Sequence, residues 1–96
     1  MDKSMNELLK SIKVRDWYCS VYPWDNLGKE ISSRISFLTI YKALESGDDI
    51  YAVMGVGDSC IRETIFDKLS VLLDVNYEFV YRMWLDNTKI DRSWYW

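Results

Sequence analysis

Lys68–Leu85, KLSVLLDVNYEFVYRMWL, is the stretch whose reading decides the fold. Leu69, Leu72 and Leu73 complete an apolar stripe that starts upstream at Ile61 and Ile65. Tyr77, Val80, Tyr81 and Trp84 then recur at i, i+3, i+4 and i+7, the spacing of a second helical face. Between the two, Asp74-Val75-Asn76 turns the chain, and Asn76 is placed to cap the second helix. Leu72-Leu73-Asp74-Val75-Asn76 stands where many helix-turn-helix motifs carry a Leu-Gly-Val-Ser-like turn. The shape is that of a DNA reader, but the charge is not. Arg82 is the only base of the second helix, and Glu78 and Asp86 are acidic. Neutralising phosphates supplies most non-specific DNA affinity, so a single arginine disfavours direct nucleic-acid binding. An ordinary helical hairpin satisfies the same pattern.

Working outward, the same periodicity predicts further short helices. Asp58 and Ser59 are both good N-caps for the helix that carries Ile61. Gly55-Val56-Gly57 breaks the chain before it, and Asp48 or Asp49 caps a short helix bearing Ile50, Tyr51, Val53 and Met54. From Ser36, the residues Phe37, Ile40, Tyr41 and Leu44 share one face, and Gly47 stops that helix. Trp24–Ser33 reads as a loop or a short helical turn. Val14–Tyr22 fits a helix through Val14, Trp17, Tyr18 and Val21. Its β-branched and aromatic content also permits a strand, and helix is the preferred reading, ended by Pro23. Ser4-Met5-Asn6-Glu7 matches a capping box and predicts a first helix over 5–13. The expected fold is all-α, a compact bundle of five to six short helices with a helix-turn-helix-like C-terminal hairpin. Residues 1–96 form a single domain, and residues 87–96, which lack a clear period, are expected as an irregular tail.

Composition narrows the chemistry. The chain has no histidine, which removes Ser-His and Cys-His pairs and the commonest metal ligand. Two cysteines, Cys19 and Cys60, can neither close a structural zinc site nor build a disulfide framework, and both are expected as buried small hydrophobes. Gly55-Val56-Gly57-Asp58-Ser59 could face a phosphate only weakly, because the Walker lysine is missing and Asp58 repels anions. No cofactor, no metal and no catalytic residue is expected, and the chain is read as not an enzyme. There is no run of about 18 apolar residues to span a membrane and no signal-peptide-like start, so a cytoplasmic protein is expected.

Charge and aromatic content point to a protein partner instead. Residues 45–86 hold nine acids against three bases, a net of −6 within a total of −3. Such a segment suits a basic protein surface. Five Trp, seven Tyr and three Phe are more than the helical faces require, and Trp17, Tyr18, Tyr22 and Trp24 crowd one segment. Packing into the core explains part of this cluster, and interface hot spots favour the same residue types. The candidate partner-binding residues are Tyr22, Trp24, Asp48, Asp49, Asp58, Glu63, Glu78 and Arg82. For the acids, a solvated helix face with N-caps is the simpler alternative.

The segments Val14-Arg15-Asp16-Trp17-Tyr18, Tyr22-Pro23, Leu27-Gly28, Asp49-Ile50-Tyr51, Gly55-Val56-Gly57-Asp58-Ser59 and the run to Trp84 resemble a little-characterised family of small proteins. That family occurs in phages and integrative elements of Gram-positive bacteria, and the resemblance spans residues 13–86. It implies a mobile-element accessory protein. Small acidic proteins in that setting often block host defence by occupying a nucleic-acid-binding surface. The resulting expectation is an inhibitor of a host defence nuclease, of anti-CRISPR or antirestriction type. It would act by binding a host nucleic-acid-binding protein or nuclease complex, without a membrane and with a homodimer allowed. The alternative is a helix-turn-helix transcriptional regulator.

Overall fold

The computed structural model describes residues 3–87. Six α-helices follow one another: α1 Lys3–Ser11, α2 Val14–Val21, α3 Phe37–Ser46, α4 Ile50–Met54, α5 Ser59–Leu73 and α6 Tyr77–Asn87. A 3-10 helix, Asn26–Glu30, lies between α2 and α3, and there is no strand among the described residues. The fold is therefore all-α, and Val14–Val21 is helix rather than strand. Its period puts Val14 and Tyr18 into the core on one face, four residues apart.

Each helix end has a local cause. The Asp49 carboxylate accepts the backbone N–H groups of Tyr51 and Ala52, and the Asp58 carboxylate accepts that of Ile61 (2.9 Å). Of the paired candidates, then, Asp49 rather than Asp48 and Asp58 rather than Ser59 are the caps. Thr39 Oγ1 accepts the Ser36 N–H (3.2 Å) at the start of α3, and Gly47 ends that helix in the left-handed region (φ 74°). Asp74 adopts the same region (φ 57°) at the end of α5, and Asn76 Oδ1 accepts the Phe79 N–H (2.9 Å) to start α6.

The N-terminus departs from the capping-box expectation. Ser4 lies inside α1, which already includes Lys3, so Ser4 is not its N-cap. The helix also stops at Ser11 rather than Lys13. Tertiary pairing takes over there: Lys13 forms an isolated antiparallel bridge with Ser36. Phe37 N–H donates to Ile12 O and Val14 N–H to Ile35 O, each at 3.1 Å. The α1–α2 link is thereby fastened to the start of α3.

α3 is the central helix, packed against α1, α4 and α6, while α5 packs along α6. Phe37, Ile40 and Leu44 of α3 meet Leu9, Ile50, Met54, Ile65, Phe66, Leu69 and Val80 in one core cluster. Burying each such side chain stabilises the fold by about 1.5–3 kcal/mol. Asn87 Nδ2 donates to Leu44 O (3.1 Å) and ties the end of α6 to α3. Asn87 itself is helical, and the rest of the expected tail, 88–96, lies outside the described residues. No helix among the described residues is long and apolar enough to cross a membrane.

Both cysteines sit elsewhere than expected. Cys60 is exposed in the first turn of α5 and Cys19 is only partly covered, so neither is a buried hydrophobe. Arg62, one of the three bases of residues 45–86, is buried.

Candidate protein-binding surface

The aromatic segment folds into a connected stack that runs from the core to solvent. Trp17 meets core Phe37 edge-on, with ring centroids 5.6 Å apart, and Tyr22 in turn meets Trp17 at 6.5 Å. Tyr18 and Tyr22 lie 4.9 Å apart. Pro23 prevents α2 from continuing, and Tyr22 closes the helix by donating its N–H to Tyr18 O (2.8 Å). The chain turns there, and Trp24 stands out of the turn, 75 % exposed, with its ring edge-on to Tyr22 at 5.9 Å.

Asp25 holds this turn. Its Oδ1 accepts the Leu27 N–H (3.0 Å) and its Oδ2 accepts the Tyr18 hydroxyl (2.5 Å). Burial pushes the Tyr18 phenol well above its ordinary pKa, reinforced by the hydrogen bond and charge of Asp25 and, more weakly, by Tyr22 and Asp58. Lys68 covers the Trp17 ring from α5, with Nζ 5.8 Å from the centroid. Trp24 is thus an exposed tryptophan on a braced base, with the carboxylates of Asp25 and Asp58 close enough to act on Tyr18.

The eight candidate residues do not form one surface. Tyr22 and Trp24 stack together, while Asp58 reaches that cluster only as a weak charge on Tyr18. The carboxylates of Asp49 and Asp58 are engaged as helix caps. Asp48 stands apart, on the rim of a groove lined by lysines. Glu63 approaches Arg62 at 3.6 Å, and Glu78 pairs with Arg82 at 3.7 Å on the exposed side of α6. Among the described residues, no group of three His, Cys, Asp or Glu side chains could hold a metal ion.

Sequence reasoning missed two residues, Asp25 and Arg62. Arg62 sits in an aromatic box: its guanidinium carbon is 4.4 Å from the Trp84 ring centroid, 5.1 Å from Phe66 and 5.8 Å from Tyr81. Its Nε donates to the Tyr51 hydroxyl (3.2 Å). The signal was present, since Arg62 precedes Phe66 by four residues and shares its face. Tyr77 and Tyr81 stack at 6.1 Å, and both are half-buried. The α5–α6 hairpin therefore turns much of its aromatic face inward.

No protein-family model, no curated protein and no solved structure matches this chain.

Proposed function

We propose that this chain is a protein-binding module that contacts a basic partner through Trp24 and the carboxylates beside it. The observation behind the proposal is Trp24, largely exposed yet braced by Tyr22. A large aromatic side chain already held in place loses little entropy on binding, which is the property of an interface anchor. Acidic neighbours would speed encounter with a cationic surface. The partner class is a nucleic-acid-binding protein, and the specific reading is a mobile-element inhibitor of a host defence nuclease. Support comes from the −6 balance of residues 45–86. Arg62, one of that segment's three bases, is buried and has little charge to offer a partner. The scarcity of bases also counts against a helix-turn-helix regulator, whose α6 would meet DNA with Arg82 alone.

The test is affinity capture from host cells followed by inhibition assays on the purified partner. The expected partner is a nuclease or its complex, bound more tightly at low salt. Trp24→Ala should weaken it by about 30-fold or more, as for an interface hot spot. Recovery of no nucleic-acid enzyme, together with no protection of phage during infection, would sink the reading. Salt-sensitive gel shifts of duplex DNA that depend on Arg82 would favour the regulator instead.

A further inference from the structure

A second charged feature shares no residue with the aromatic platform. An open groove of about 640 Å³ is lined by Lys10, Lys13, Arg34 and Lys42, with Asp48 as its one carboxylate. The four cations come from α1, the α1–α2 link, the segment before α3, and α3 itself. The Lys13–Ser36 bridge fixes two of those segments side by side, and Lys13 Nζ donates to Arg34 O (3.2 Å). None of the four makes an ion pair with a carboxylate of the described residues. All four are exposed, with Asp48 the one lining carboxylate to oppose them. The α3 N-terminus, the positive end of its macrodipole, adds to the same field through lining residues Ser36 and Thr39.

We propose that this groove binds the phosphates of a nucleotide-sized polyanion. The volume falls within the range of about 300–1,000 Å³ typical of small-ligand sites. Four cations around so small a space call for several negative charges close together. Phosphate groups meet that need, since their oxygens accept the charge-assisted hydrogen bonds that lysine and arginine donate. Apolar Leu38, Ala43 and Val53 in the lining give a base or sugar a surface to rest on. The phosphates can belong to a free nucleotide or to a single-stranded backbone. This inference does not depend on the protein-binding reading.

The experiment is calorimetric titration of the full chain at low salt with adenosine triphosphate and, separately, with a short oligo-dT strand. Binding is expected for at least one probe. Binding of the triphosphate alone identifies a nucleotide site, and binding of the strand alone identifies a backbone site. Two double variants, Lys10→Gln/Lys42→Gln and Lys13→Glu/Arg34→Glu, should each weaken binding roughly tenfold or more, with far-UV circular dichroism unchanged. For the strand, each double variant should also lower the salt slope by about 1.4 or more. Lysine acetylation of the unmodified chain reads the same contact without substitutions: the bound probe should protect Lys10, Lys13 and Lys42 but not Lys29, an exposed lysine outside the groove. Neither probe binding, or folded variants binding as well as the parent, or equal protection of Lys29, would overturn the proposal.

Discussion

The Arg62 guanidinium lies 4.4 Å from the centre of the Trp84 ring, and this contact fastens α5 to α6 around a charge withdrawn from water. Arg62 is 6 % exposed, and its Nη1 has no hydrogen-bond partner among the described residues. Its nearest carboxylate, Glu63, is itself mostly exposed and gives little in return. What offsets desolvation is the aromatic box and the Tyr51 hydroxyl. Arg62→Ala should empty the box and cost about 2–4 kcal/mol. Arg62→Met keeps most of the volume and removes the buried charge, so it should cost much less or even stabilise. Chemical denaturation of both variants checks this. Equal losses would mean that the charge, not the packing, carries the contact.

The contrast between Arg62 and the helix caps shows what a sequence exposes. Asp49, Asp58 and Asn76 were legible because a cap acts on the residues immediately after it. The faces Phe37–Ile40–Leu44 and Ile61–Ile65–Leu69 were legible for the same reason, since helical period is local. Where α1 ends was not, because Ile12 and Lys13 are tied down by partners more than twenty residues away. The cationic groove was invisible for the same cause: Lys10, Lys13, Arg34 and Lys42 meet only through the fold. Trp24 was a candidate from its place after Pro23, but its bracing depends on Asp25 and Tyr18 meeting across a turn.

Alkaline pH should destabilise the fold through its tyrosines. Burial is the leading cause that raises the pKa of Tyr18, Tyr41 and Tyr77 above the ordinary 10.0. A phenol with a raised folded-state pKa contributes stability that is fully present below 10.0. That contribution is lost as pH rises through the folded-state value. Stability should therefore hold near neutrality and fall above about pH 10. Tyrosinate absorbance should show a late-titrating fraction in the folded protein that merges with the rest on unfolding. Tyr18→Phe should flatten the alkaline decline while lowering stability at neutral pH, because it removes the hydrogen bond to Asp25.

The two glycines of Gly55-Val56-Gly57 should respond in opposite directions. Gly55 caps α4 with φ at +81°, and a Cβ there would meet the Glu30 carbonyl oxygen at 3.3 Å. Gly55→Ala should cost about 1 kcal/mol or more. Gly57 has no positive φ, and a Cβ would meet nothing within 4 Å. Gly57→Ala should stabilise by about 0.4–1 kcal/mol through the unfolded chain. Thermal melts distinguish the two, at about 4–8 °C per kcal/mol for a domain of this size.

Adjacent Asp48 and Asp49 should also separate cleanly. Asp49 Oδ1 accepts the N–H groups of Tyr51 (3.0 Å) and Ala52 (3.4 Å), whereas Asp48 is exposed beside the lysine groove. Asp49→Ala should cost about 1 kcal/mol as a lost cap, and Asp58→Ala a similar amount at α5. Asp48→Ala should leave stability within about 0.5 kcal/mol. It should instead tighten the groove's hold on phosphate, because the one opposing charge is gone. Denaturation midpoints read the first effect and triphosphate titration the second. If Asp48→Ala weakened phosphate binding, the carboxylate would be orienting a lysine rather than opposing the ligand.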